Sequence, residues 1–255
     1  MLLPADEIHV WCIREALEDT ASMIHLLSTA ELQRLARLRQ PRMRSQFVVT
    51  RAAVRAVLSA AFPAIASQHW QFERNPWGRP EIGNPELRGR VSFNIAHTEG
   101  LIVIALCCNG TVGVDVENLS RIARAGALAR RYFSASEAAA LHALPQSQQL
   151  RRFLDLWTLK EAYIKACGKG LAIALDSFGF VLQEGRVAIE IAPQQQDDPA
   201  RWQFWQLQIG EGFLAGLALS DARELDVRVR CRSFCHLQPG PDEVVQIIRK
   251  SAADQ

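Results

Sequence analysis

Gly113-Val114-Asp115-Val116-Glu117 and, further along, Trp157-Thr158-Leu159-Lys160-Glu161-Ala162-Tyr163-Ile164-Lys165 are the stretches from which the rest of the chain can be read. The first alternates as a strand does, which places Asp115 and Glu117 on one side of a sheet. The second has helical spacing, which places Glu161 and Lys165 one turn apart on one face. A strand and a helix so built can aim three carboxylates and a lysine at one point. Together these could hold a metal bound to phosphates.

The chain has 255 residues, enough for one large domain or two modest ones, each able to bury a core. Hydrophobic residues make up 49%, charged residues 22%, and the net charge is +2, so a folded globular protein is expected. Met1-Leu2-Leu3-Pro4 is followed by Asp6 and Glu7 in place of a basic region and a long apolar core, so no secretory signal is expected. The longest apolar run, Leu101 to Cys108, is too short to span a bilayer. Six cysteines lie scattered without a CxxC pair; Cys231, Cys235 and His236 lack a fourth ligand at zinc-site spacing. These features predict a soluble, cytoplasmic protein without a membrane partner.

Ile8 to Ile13 reads as a strand. Ser28-Thr29-Ala30-Glu31 is a capping box and starts a helix; a second helix is expected beyond Pro41, from about Met43 to Phe62. Arg34, Arg37, Arg39, Arg42, Arg44, Arg51 and Arg55 crowd this region with Glu31 to offset them. They read either as a solvated helix surface or as an anion site, because guanidinium groups suit bidentate phosphate contacts. Asn75-Pro76-Trp77-Gly78-Arg79-Pro80 is a turn-rich loop. Val91 to Thr98, Leu101 to Leu106 and Val112 to Val116 read as three consecutive strands, with Asn109-Gly110 marking a hairpin before the third. A helical stretch is expected around 122–132, another N-cap at Ser134 with Glu137, and a long helix from about Gln148 to Cys167 stopped by Gly168. The remainder alternates like strands and closes on a terminal helix around Glu243 to Lys250. Glu99-Gly100-Leu101 followed by Asp115-Val116 is echoed by Glu211-Gly212-Phe213 followed by Asp226-Val227, which suggests two similar halves meeting near residue 112.

Taken singly, these residues have plain readings. Asp115 and Glu117 would be solvent-facing residues at a strand edge, Glu161 and Lys165 a helix-surface pair, His97 a hydrogen-bonded structural histidine, and Trp157 a core aromatic. In combination they match magnesium, which takes oxygen ligands and shares its shell with substrate phosphates. A reaction at a pyrophosphate also needs cations to receive developing charge, and Arg79, His97 and Lys165 are available. Neither a Gly-x-x-x-x-Gly-Lys-Ser/Thr loop nor a Gly-x-Gly-x-x-Gly turn occurs, which disfavours a P-loop ATPase and a Rossmann dehydrogenase.

Phe93-Asn94-Ile95-Ala96-His97-Thr98, Gly113 to Glu117, Phe133-Ser134 with Glu137, Trp157 to Ala166 and Gly168-Lys169-Gly170-Leu171 occur in this order, and the order resembles the signature of the Sfp-type 4′-phosphopantetheinyl transferases. The family often has serine where Ala96 stands. The resemblance implies a magnesium-dependent transferase that moves the 4′-phosphopantetheine arm of coenzyme A onto a serine of an acyl or peptidyl carrier protein and releases adenosine 3′,5′-bisphosphate. Carried over by motif, Asp115, Glu117 and Glu161 would hold magnesium and His97 would contact the pyrophosphate, with Thr98 a nearby hydroxyl for a coenzyme phosphate. Lys165 would neutralise the leaving phosphate, and Arg79, matching a basic residue in the family's Gly-Lys-Pro loop, would contact the nucleotide end. Glu161 would be the base for the serine, and Arg44 and Arg51 would take the 3′-phosphate of the coenzyme.

The implied fold is α/β (α+β), a pseudo-two-fold arrangement of two halves with the active site between them. Residues 1–112 would form the half with basic helices and coenzyme A contacts, and residues 113–255 the half with the carboxylates. A chain holding both halves is expected to be a monomer. Two other readings remain open: a magnesium-dependent pyrophosphate phosphohydrolase, and an RNA-binding module using the arginine helix and exposed tryptophans. The nearly balanced charge and the lack of aromatics among the arginines weigh against a nucleic-acid partner.

Overall fold

The order of elements in the computed structural model is β1 (Glu7–Ile13), α1 (Thr20–Met23), α2 (Thr29–Arg37), α3 (Pro41–Ala61), β2 (Phe72–Arg74), β3 (Pro80–Ile82), β4 (Val91–Thr98), β5 (Leu101–Cys108) and β6 (Val112–Asn118). There follow α4 (Ala125–Tyr132), α5 (Ala135–His142), α6 (Gln146–Cys167), β7 (Phe178–Gln183), β8 (Gly185–Ile191), β9 (Trp202–Ile209), β10 (Phe213–Ser220), β11 (Arg228–Cys235), β12 (Gln238–Asp242) and β13 (Val245–Lys250). The structure describes residues 3–14, 18–120, 125–221 and 226–251. The mixed α+β class is as the sequence predicts. The start of the helix expected around 122–132 lies outside the described residues.

The strands form a five-stranded sheet in the order β12-β11-β1-β5-β4, a six-stranded sheet in the order β6-β10-β9-β13-β8-β7, and the hairpin β2-β3. Alternation along β5 shows how these layers stack. Ile102, Ile104 and Leu106 join Val54, Val57 and Leu58 of α3 in one core. Leu101, Val103 and Ala105 meet Val112, Val114, Val116 and Leu217 in a second core between the sheets. A third core lies beneath α6. The long helices therefore flank a pair of packed sheets.

Two segments share one plan. In each, a strand is followed by a long helix and then a hairpin, and the first strand pairs antiparallel with the second strand of the hairpin: β1 with β5, and β6 with β10. The Glu99-Gly100 and Glu211-Gly212 echoes are the turns of the two hairpins. Asp226-Val227 does not complete the echo, because it leads into β11, which runs parallel to β1 in the first sheet.

The capping boxes expected at Ser28 and Ser134 both form. Each box is tied to its long helix by a buried cation. Arg55 donates to Glu31 at 3.0 Å and to the carbonyls of Trp70 and Ser67 at 2.9 and 3.3 Å. Lys160 reaches Glu137 at 2.8 Å and the carbonyls of Leu175 and Phe178 at 2.8 and 2.5 Å. Each cation also lies over the phenylalanine that opens the next strand, Phe72 or Phe178.

Two expectations are corrected. Asn109 and Gly110 do take the positive φ of a tight turn, but β6 does not fold back onto β5. It crosses to the second sheet and pairs with β10, where Val112, Val114 and Val116 enter the core between the sheets. The segment expected as a terminal helix is instead β13. Its β-branched residues Val245, Ile247 and Ile248 suit a pleated surface, and it lies antiparallel to β9.

Replacing Lys160 with methionine would leave the Glu137 carboxylate buried and unpaired, so Lys160→Met should lose about 3–5 kcal/mol of unfolding free energy in urea titration. Glu137→Gln in the same chain should recover part of that loss.

Candidate functional site

The site begins with the three valines of β6. Because Val112, Val114 and Val116 face the other sheet, Gly113, Asp115 and Glu117 face α6. Gly113 is required there. A Cβ on it would stand 2.0 Å from the Ala162 carbonyl oxygen and 2.5 Å from the Ala166 nitrogen. Gly216 of β10, directly opposite Asp115, plays the same part, since its Cβ would fall 2.3 Å from the Thr158 oxygen. The α6 backbone thus rests on the strands along Thr158, Ala162 and Ala166, and Glu161 and Lys165 project beside that line.

Lys165 Nζ donates to Asp115 Oδ1 at 2.6 Å and to the Val114 carbonyl at 3.1 Å. The lysine that helical spacing would assign to Glu161 is therefore engaged by the strand. Asp115 is buried, and its Oδ2 has no hydrogen-bond partner among the described residues. Burial pushes the Asp115 carboxyl above the usual carboxylate range, opposed chiefly by Lys165 and slightly by His97. Burial also raises Glu161, and Asp115 and Glu117 raise it further against the pull of Lys165. The three carboxylates are close enough to feel one another, with one amine among them. This is the charge environment that a divalent cation with oxygen ligands relieves. The donor set and the unsatisfied Asp115 oxygen fit such an ion, although among the described residues no three acidic or imidazole side chains converge to ligating distance.

Glu161 and Lys165 also line a cavity of about 330 Å³ with Trp77, Arg79, Asn94 and Ile95. The other expected residues are placed as follows. His97 is exposed near the end of β4. Thr98 Oγ1 accepts from the Asn118 amide at 3.3 Å. Arg79 puts its guanidinium to a structural use: Nη1 donates to the Ala166 carbonyl at 2.7 Å, and Nη2 donates to Ser92 Oγ at 2.9 Å and to the Val112 carbonyl at 3.0 Å. It thereby ties the end of α6 to β4 and β6. Arg44 caps the C-terminus of α2 through the Leu35 and Leu38 carbonyls, at 2.7 and 3.1 Å.

Arg51 is brought together with Arg34, Arg55 and Arg74 around a second cavity of about 450 Å³. Burial lowers its pKa, and the neighbouring arginines lower it further against Glu31. Arg34 and Arg51 both lie over the Phe47 ring, at 5.6 and 5.5 Å. Pro80 lines both cavities, so they adjoin. Sequence reasoning passed over Asn94, Arg74 and Trp77 as site residues. Trp77, 55% exposed in the turn-rich loop, gave the one local signal, an apolar ring between two prolines.

Residues 111–219 match the model of the 4′-phosphopantetheinyl transferase superfamily. The chain is similar to the 4′-phosphopantetheinyl transferase HetI of Nostoc sp. (strain PCC 7120), 28% identical over 226 residues that cover 86% of this chain and 90% of the relative. It is 31% identical to the 4′-phosphopantetheinyl transferase ffp of Bacillus subtilis over 175 residues, 68% of this chain and 75% of that one. With Sfp of Bacillus subtilis (strain 168) the identity is 37% over 139 residues, 54% of this chain and 59% of the relative.

Glu161→Gln should raise the melting temperature of the metal-free protein at pH 7. A carboxyl whose pKa is raised on folding contributes stability below its unfolded value and loses it as pH rises through the folded value. The variant and the parent should therefore melt together below about pH 4, as differential scanning calorimetry across pH would show. Gly113→Ala should lose at least about 1–3 kcal/mol from the forced retreat of α6, read by denaturant titration.

Proposed function

The chain belongs to the 4′-phosphopantetheinyl transferase superfamily, and from that premise we propose that it moves the phosphopantetheine arm of coenzyme A onto a serine of an acyl or peptidyl carrier protein with the help of magnesium. It is a transferase of the holo-acyl-carrier-protein synthase type. The observation that carries the proposal is the cluster of Asp115, Glu117 and Glu161 around Lys165, beside a cavity between the helix α6, the strand β4 and the loop that carries Trp77.

Asp115, Glu117 and Glu161 would hold the magnesium. When bound, that ion polarises phosphoryl oxygens and offsets charge on the pyrophosphate. Glu161 takes the proton of the carrier serine, a role that its place on α6 at the cavity wall allows. Lys165, held by Asp115 and the Val114 carbonyl, keeps a positive charge at the site where the leaving phosphate gathers negative charge. His97, exposed at the end of β4, contacts the pyrophosphate. Arg34, Arg51 and Arg74 receive the 3′-phosphate in the adjoining cavity, with Arg44 supporting them by capping α2. Arg79 fixes the wall between the cavities, and the nucleotide lies across the loop that carries Trp77. We take 1–112 and 113–255 as the two halves, with β11 and β12 of the second returning to the sheet of the first. The protein acts as a monomer in the cytoplasm, with neither nucleic acid nor a membrane as partner.

Mixing the protein with coenzyme A, magnesium and an apo carrier, and weighing the carrier by intact mass spectrometry, should show a phosphopantetheine mass gain that EDTA abolishes. An unmodified carrier beside hydrolysed coenzyme would replace this reading with a phosphohydrolase. Glu161→Gln should lower kcat by about 10²–10⁴-fold. Arg51→Ala should raise the KM for coenzyme A by roughly tenfold or more, the worth of one charge-assisted hydrogen bond, and leave that for the coenzyme lacking its 3′-phosphate nearly unchanged.

A further inference from the structure

β6 is an edge strand of the six-stranded sheet, and β4 is an edge strand of the five-stranded sheet. One edge of β6 is bonded to β10. The other edge, a row of amides and carbonyls that would otherwise need water or another strand, faces the side chains of β4. Ser92 Oγ accepts from the Val112 amide at 3.2 Å, Asn94 Oδ1 from the Val114 amide at 3.0 Å, and Thr98 Oγ1 from the Asn118 amide at 3.3 Å. Donors and acceptors advance by two residues and then by four on both strands, in parallel and in step. Two carbonyls along that edge are taken as well, Val112 by Arg79 and Val114 by Lys165. The step between Asn94 and Thr98 falls on Ala96, a buried methyl with no acceptor. Its counterpart is the amide of Val116, which lies between Asp115 and Glu117 and helps to hold the Asp115 carboxylate instead.

We propose that Ser92, Asn94 and Thr98 are positioning residues: a side-chain ladder, in place of a backbone ladder, sets where β6 holds its carboxylates relative to His97 on β4. Asn94 is the central rung. It is buried, and it grips the amide of the residue that precedes Asp115 and whose carbonyl binds Lys165. Loss of this rung strands a buried amide and frees both groups to shift. The inference rests on the transferase reading for its consequence, but the ladder itself can be tested apart from any activity.

The test is residue-resolved amide hydrogen exchange by NMR on the metal-free protein, combined with the half-saturating magnesium concentration and the KM for the carrier. Asn94→Ala should speed exchange at Val114 by about tenfold or more, the worth of one buried hydrogen bond. It should also raise the magnesium half-saturation by about tenfold, as loss of a group that orients a metal ligand does, with the carrier KM changed less than the magnesium requirement. Ala96→Ser should slow exchange at Val116 by supplying the missing rung. Unchanged exchange at Val114 in a folded Asn94→Ala variant would overturn the ladder. So would unchanged exchange at Val116 in Ala96→Ser, which serves should Asn94→Ala fail to fold. Faster exchange with an unaltered magnesium requirement would overturn the positioning role. A wild-type protein that modifies no carrier would sink the transferase reading and leave the exchange results to decide the ladder.

Discussion

The backbone of α6 lies directly on two glycines, and much of the site's geometry follows from that contact. With Gly113 and Gly216 beneath Ala162, Ala166 and Thr158, the helix comes closer to the sheet than any side chain at those positions would permit. Only at that separation does Lys165 reach both the carbonyl of Val114 and the carboxylate of Asp115. The same closeness buries Asp115, which raises its pKa and makes an unsatisfied oxygen costly. Packing and electrostatics are therefore one constraint at this place.

The two repeated units carry the same scaffold and very different chemistry. Arg55 and Lys160 occupy equivalent places on their helices, and each binds a capping-box glutamate, two carbonyls and the face of a phenylalanine. Matching the units by these cations puts Ala56 and Ala60 where the second unit has Glu161 and Lys165. Matching the hairpins puts Trp11 opposite Ile104 where Asp115 lies opposite Gly216, and Ile13 where Glu117 lies. In the first unit those positions are apolar, and Trp11 and Ile13 belong to the core under α3. One unit thus contributes stability and an arginine-lined cavity, and the other contributes the carboxylates.

What could be read from the sequence was mainly local. The capping boxes at Ser28 and Ser134, the stop at Gly168 and the shared face of Asp115 and Glu117 are set by neighbours within a few residues, so periodicity and residue type reveal them. Asn109-Gly110 has the local chemistry of a hairpin turn and adopts its backbone, yet the partner of β6 is β10, distant in sequence. Arg44 and Arg79 are basic residues in a plausible anion-binding region, but carbonyls at the ends of α2 and α6 claim them first. Spacing assigns Lys165 to Glu161; a buried carboxylate across the helix–strand contact outbids it. Asn94 stood in the Phe93 to Thr98 motif without a legible role, since that role depends on a strand that follows twenty residues later and joins another sheet.

Placing the carboxylates on an edge strand resolves a conflict between access and support. A central strand would have both edges bonded by neighbouring backbones, which would hold Asp115 and Glu117 firmly but wall them in. An edge strand leaves room for a cavity, at the cost of unpaired amides beside a cluster of like charges. Side chains answer this where a backbone could not, because Ser92, Asn94 and Thr98 reach across to single amides while Lys165 and Arg79 take the carbonyls between. The cavity lined by Glu161, Lys165 and Asn94 opens beside this seam, between α6, β4 and the loop that carries Trp77, so the helix residues reach it while the strand beneath stays held. At the seam, Asp115 is thus fixed by polar contacts while Glu161 and Lys165 beside it open onto a cavity.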